Sequence, residues 1–172
     1  MAALKFKRDK FKELVLYLSE RSEADPNFGE TKLNKLLFYI DLLAYRELGS
    51  PVTGAKYQKL RWGPAATALL PVQEEMEADG DLKIRSGLRG AYMQKKPIAL
   101  RQPYLHQFTG AEIALIDQLI AALWNLGAVD VSDLSHDHIG WQLAQEREEI
   151  PYETVFVESI EVVQANVAAS AA

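Results

Sequence analysis

The sequence predicts a mainly helical α+β fold, a compact multi-helix domain with a few short strands. Three observations predict it. Apolar residues recur at helical spacing over several long segments, short Gly- and Pro-bounded stretches between them suit strands, and one helix start carries a complete capping signature. The chain has 172 residues, of which 48% are hydrophobic and 25% charged, which suits one domain over 1–172 with enough apolar side chain for a core. No internal repeat or interdomain linker divides it.

Phe11, Leu14, Val15 and Leu18 keep amphipathic helical spacing between Lys7 and Ser19. Asp25-Pro26-Asn27 and Gly29 then turn the chain. From Thr31 to Leu48 a wide apolar face (Leu33, Leu36, Leu37, Ile40, Leu43, Ala44, Leu48) predicts the central core helix, stopped by Gly49 and Pro51. Tyr57 to Trp62, bounded by Gly54 and Gly63, reads as a short strand. Gly63-Pro64 is expected to open a helix running to about Asp79, because proline's fixed φ and missing amide hydrogen are tolerated at a first helical position. Pro71 should kink or split that helix, and Asp79-Gly80 should end it. Leu82–Arg85, Ala91–Gln94 and Pro97–Leu100 suit a small, irregular sheet.

At Thr109-Gly110-Ala111-Glu112, Thr109 can cap a helix, Glu112 can return the bond, and Phe108 can pack on Ile113. Ile116, Leu119, Ile120, Leu123 and Leu126 continue this second core helix until Gly127 supplies the expected C-terminal residue. Ser132 to Arg147 predicts a turn-rich helical region ended before Ile150-Pro151. Tyr152, Val155, Phe156, Ile160 and Val163 are spaced for a last helix, and residues 164–172 for a frayed, Ala-rich tail.

The absence of Cys excludes disulfides, thiolate metal sites and a cysteine nucleophile. No apolar run approaches the roughly 20 residues that span a bilayer, and the N-terminus lacks the apolar core of a signal segment, so a cytoplasmic protein without a membrane partner is expected. The net charge of −5 argues against coating nucleic acid by bulk electrostatics. The charge is nevertheless uneven, +4 over residues 1–12 and −5 over residues 145–172. Lys5, Lys7, Arg8, Lys10 and Lys12, interleaved with Phe6 and Phe11, resemble a nucleic-acid surface, but a basic amphipathic helix with its aromatic residues in the core is the simpler account. The two charged ends either attract each other, meet partners, or form solvated surfaces, and solvation is the simplest.

His136-Asp137-His138 is the one cluster resembling a metal site. On a helix, spacing two sends the two rings to opposite sides, so ordinary histidines are the better reading and no metal is assigned. Ser135, His136 and Asp137 hold the letters of a hydrolase triad, but adjacent residues cannot form its relay. A Gly-x-Ser-x-Gly elbow and a phosphate loop are both absent, and Glu74, Glu75 and Glu77 read as a solvated helix face. Composition and spacing therefore give a helical globular domain with no evident catalytic constellation or cofactor.

Three ordered motifs add more. Thr31-Lys32-Leu33-Asn34-Lys35-Leu36-Leu37-Phe38-Tyr39 is similar to the early Lys-Leu-x-Lys-Leu-Leu-aromatic-Tyr helix of the Panacea domain, the SocA-like antitoxin domain. Tyr57 through Trp62-Gly63-Pro64 resembles that family's strand ending in aromatic-Gly-Pro. Asp133-Leu134-Ser135-His136, then Trp141, Ala144 and Ile150-Pro151, resembles its late Leu-Ser-x-x-His and Trp-x-x-Ala pattern. The resemblance covers about residues 10–157, with Ala65 and Gly140 as departures. It implies a mainly helical antitoxin, not an enzyme, that neutralises a cognate toxin by direct contact, the toxin being encoded by an adjacent gene. The alternative is a nucleic-acid-binding regulator using the basic first helix, one that autoregulates its own operon.

Leu33, Leu36, Leu37 and Ile40 are expected in the core. Lys32, Lys35, Tyr39, Tyr57, Trp62, His136 and Trp141 are the candidates for toxin contact. For Trp62 and Trp141, packing on each other or on the core is favoured over a toxin-facing role.

Overall fold

The structure, a computed structural model, describes residues 3–157. Among them, helices α1 (Arg8–Arg21), α2 (Glu30–Leu48), α3 (Leu69–Ala78), α4 (Gly110–Leu123), α5 (Ala128–His136) and α6 (Ile139–Leu143) accompany two antiparallel strand pairs. These are β1 (Tyr57–Leu60) with β2 (Gly63–Ala66), and β3 (Leu82–Arg89) with β4 (Tyr92–Ala99). The fold is α+β and mostly helical, as the periodicity predicts. No single helix among the described residues is long and apolar enough to cross a membrane.

The wide apolar face of α2 makes it the axis of the molecule. Leu33, Leu37, Phe38, Ile40 and Ala44 are fully buried, with β2, α4, α5 and the 3₁₀ turn at Tyr152–Phe156 packed around them. Each such Leu, Ile or Phe side chain withdrawn from water contributes about 1.5–3 kcal/mol. Gly49, at φ 82°, ends the helix in the left-handed conformation that favours glycine. Thr109 caps α4 as its sequence signature predicts: Glu112 N–H donates to Thr109 Oγ1 (3.1 Å), and Thr109 N–H donates to the Glu112 carboxylate (2.8 Å).

Four expectations are corrected. Gly63-Pro64 opens β2 rather than a helix. Gly63 adopts φ 111°, the chain folds back on β1, and Pro64 sits opposite Lys59 in a two-stranded ribbon that tolerates its missing amide hydrogen. The following helix starts only at Leu69, so Pro71 falls in its first turn, where the amide has no intrahelical acceptor to lose, and it neither kinks nor splits α3. Ala91–Gln94 and Pro97–Leu100 are not separate pieces of an irregular sheet. Residues 92–99 form one regular strand, and Pro97 is tolerated opposite Ile84 in a hairpin turned at Gly90.

Gly127 is the fourth correction, since it begins α5 rather than ending α4. Its φ of −75° is extended, its N–H donates to Asp130 Oδ2 at 3.0 Å, and the two helices meet at 112°. The bend follows from a distant residue: Lys32 Nζ donates to the carbonyls of Trp124 and Leu126 (2.9 and 3.0 Å), which holds the connection out of helical geometry. At the C-terminal end, Tyr152–Phe156 form a 3₁₀ turn on α2. Ile160, Val163, Glu158, Glu161 and the tail lie outside the described residues.

Candidate functional site

The first three turns of α2 present Lys32, Lys35 and Tyr39 at helical spacing toward the β1–β2 hairpin and α5. None of the three reaches the surface. Lys32 is buried with its three donors matched by Asp25 Oδ2 (2.6 Å) and the two carbonyls before α5. Burial pulls its pKa down against the opposing pull of Asp25. It ties the loop before α2 to the bend after α4.

Lys35 is only 2% exposed, and its Nζ donates to the Pro64 carbonyl at 3.2 Å. Loss of solvation brings its pKa down to about 7. A Cβ at Gly63 would stand 2.5 Å from Lys35 Cε and would run into Ser135 Oγ, so this glycine is required by both its φ and its surroundings. Tyr39 is buried edge-on against Phe38, and burial, reinforced by Asp137, raises its pKa.

Tyr57 is buried too. Its hydroxyl lies 2.7 Å from Asp41 Oδ2 and 2.8 Å from the Leu37 carbonyl. Asp41, wholly buried, also accepts from Thr53 N–H (2.7 Å), Thr53 Oγ1 (2.5 Å) and Tyr152 OH (3.3 Å). Desolvation raises its pKa against these hydrogen bonds. The sequence reading missed this hub, which ties α2 to the strand and the C-terminal turn. Its signal was an aspartate in the middle of the central core helix.

At the hairpin tip the picture changes. Trp62 is 61% exposed, with the Arg61 guanidinium 4.8 Å from its ring centre and its carbonyl pinned by Ser132 Oγ at 2.7 Å. It packs neither on Trp141 nor in the core, which corrects the favoured expectation. The turn at Gly63 thrusts it outward while Lys35 and Ser135 fill the space behind. Trp141 is half-buried and donates Nε1–H to the Leu60 carbonyl (3.1 Å). The His136 ring stacks on it at 4.0 Å and Lys59 Nζ stands 4.2 Å above it. His136 Nε2 is buried without a hydrogen-bond partner among the described residues.

His138 faces elsewhere, against Phe38 and 3.0 Å from Thr154 Oγ1, so the two histidines do not converge. Gly140, a departure from the family pattern, is explained here: a Cβ would stand 2.6 Å from Thr154 Oγ1 and 2.8 Å from Ile150 Cγ2. Among the described residues no group of three His, Cys, Asp or Glu side chains converges to hold a metal ion.

Three cations at the start of the first helix are engaged in ion pairs within the molecule. Arg8 and Lys12 both pair with Glu75, and Lys10 pairs with Glu112 at 2.7 Å. Glu75 therefore does more than face solvent, and these cations meet α3 and α4 rather than the acidic end of the chain. Phe11 is in the core and Phe6 packs against it. A second basic feature is β3–β4, where Lys83, Arg85, Arg89, Lys95 and Lys96 occur between Leu82 and Ala99 without one acidic residue. That run was legible in the sequence and was passed over for the N-terminal one.

The family model described as antitoxin SocA-like, Panacea domain, matches residues 33–142, from α2 to α6 and more than half of the chain. The chain belongs to this family. No curated protein and no solved structure matches it.

Proposed function

We propose that this chain is the antitoxin of a prokaryotic or phage toxin–antitoxin pair, and that it neutralises a toxin encoded by an adjacent gene through direct protein contact. The observation that carries the reading is the family match from Leu33 to Gln142, which includes the hairpin that projects Trp62. Contact neutralisation asks for an exposed anchor on a rigid support, and tryptophan and arginine are enriched among residues that dominate binding energy. Trp62 beside Arg61 fits that role. Lys35, Tyr39 and Tyr57 support the hairpin from within, Lys32 holds the bend between α4 and α5, and none of the four reaches a partner, while His136 and Trp141 brace the hairpin's flank.

The protein acts by contact rather than by chemistry: the lysine with the most perturbed titration, Lys35, is sealed beneath Gly63. Arg8, Lys10 and Lys12 are engaged by Glu75 and Glu112, which weakens the case for nucleic-acid binding through α1. Growth of a host expressing the adjoining open reading frame tests the reading. Toxicity alone and rescue on coexpression are expected, and toxicity without rescue would refute it.

A further inference from the structure

Trp62 lies on the rim of a groove of about 490 Å³ at the start of α2, whose opposite wall is the tip of the β3–β4 hairpin. Tyr92, Met93 and Lys95 form that wall, and Gly29 and Glu30 form the floor. The register pairs Met93 with Leu88 and Tyr92 with Arg89, which extends the apolar surface along the ribbon. Met93 and Leu88 are 58% and 78% exposed, so with Trp62 they make a strip of large apolar side chains left in water. The same ribbon carries five cations and no anion in a chain whose net charge is −5, so positive charge is segregated onto it.

Some of those cations are spoken for: Arg89 donates to Asn27 Oδ1 (3.0 Å), and Lys96 donates to the Glu23 and Asp25 carbonyls (2.6 and 3.1 Å). These bonds fasten the ribbon to the loop before α2 and fix the groove's width. Arg61 over Trp62, and Lys83 and Arg85 farther along the ribbon, make no salt bridge among the described residues, and Lys95 in the wall makes none but acts electrostatically on Glu30 of the floor. The floor adds the positive end of α2, because Gly29 heads that helix without a side-chain cap and a Cβ there would stand 2.9 Å from Gln94 Cγ.

We propose that this groove is the docking surface for the protein partner, and that it receives an acidic segment bearing a large apolar or aromatic side chain. The inference rests on the antitoxin reading and adds where the partner binds and what chemistry it presents. The apolar anchor lies between Trp62 and Met93, and the partner's carboxylates face Lys95 and Arg61. Charge complementarity selects the acidic partner and speeds its capture, while the buried anchor supplies most of the affinity. A nucleic-acid backbone fits less well. Leu88 and Met93 give a phosphate backbone no polar contact, whereas they suit a segment with an apolar anchor, whose carboxylates lie toward Lys95 and Arg61 and away from Glu30.

The test titrates purified wild type, Trp62→Ala, Met93→Ala and Lys95→Glu with the product of the adjoining open reading frame at two salt concentrations. Leu105→Ala, an exposed residue outside the groove, is the control, and thermal melts confirm that each variant is folded. Expected are losses of about tenfold or more for Trp62→Ala and Lys95→Glu, a weaker salt dependence for Lys95→Glu, and wild-type affinity for Leu105→Ala. Folded groove variants that bind as the wild type does would overturn the groove and leave the antitoxin reading standing. A wild type that neither binds nor rescues would remove the antitoxin reading, and this inference with it. Tight, steeply salt-dependent binding of a random-sequence duplex, lost in Lys95→Glu, would assign the surface to nucleic acid instead.

Discussion

Replacing Lys35 with Met separates a lysine that builds the site from one that contacts a partner. In the folded protein Lys35 is sealed under the hairpin with one acceptor, and burial lowers its pKa from 10.5 to about 7. The unfolded chain therefore binds one more proton than the folded chain between those two values, and stability rises with pH across that window. Each full unit is about 1.4 kcal/mol. Between pH 7.5 and 9.5 the two titration curves give a gain of about 2–3 kcal/mol for the wild type. Lys35→Met has no such proton to shed, so its change over the same interval should be smaller by about that amount, whatever its absolute stability. Urea unfolding followed by circular dichroism at the two pH values reads the difference, and using the difference cancels the titration of tyrosines common to both proteins. Parallel changes in the two proteins would refute the argument that Lys35 is buried with a depressed pKa.

Gly63→Ala combines a φ of 111° with collisions against Ser135 Oγ and Lys35 Cε, and a loss of about 3 kcal/mol or more is expected from chemical unfolding; a loss under about 1 kcal/mol would contradict the packing. Lys32→Met leaves Asp25 buried without its cation and frees the carbonyls of Trp124 and Leu126, so a cost of about 3–5 kcal/mol is expected, with partial recovery in Lys32→Met/Asp25→Asn. Thr109→Ala removes half of the capping box of α4, and calorimetry should register about 1 kcal/mol of lost stability with binding unchanged.

What the residues reveal in advance follows from the range of the forces involved. The spans of α1 and α2 and the cap of α4 are legible because their determinants lie within a few residues, in the 3-4-7 spacing and in Thr109 with Glu112. The hairpin is not. Pro64 taken alone suits a helix start, and only the packing of Lys35 and Ser135 against Gly63 makes the fold-back the better solution. Gly127 follows the same rule: its role is set by Lys32, more than ninety residues earlier.

Two lysines on α2 suggest a polar face, yet the middle of this helix, residues 36–44, is buried all round, with Phe38, Tyr39 and Leu42 between the expected core positions. A helix hydrophobic on every side is one the fold surrounds, and its lysines must find acceptors inside. That argument was available from residues 31–48 and would have moved Lys32, Lys35 and Tyr39 from the contact surface to its support. Nothing local marks Trp62 as exposed, because its direction is fixed by the Gly63 φ and by Ser132.

The central claim is neutralisation by direct contact, and the stoichiometry of neutralisation tests it most directly. Increasing amounts of this protein are added to a fixed amount of the purified toxin, with residual toxin activity and the mass of the complex measured on the same samples. The account predicts that activity falls linearly to zero at a fixed molar ratio and that a complex of the same ratio elutes. Neutralisation by far less than one molar equivalent, or without a complex, would mean that the protein reverses the toxin's effect by chemistry, and would contradict the account.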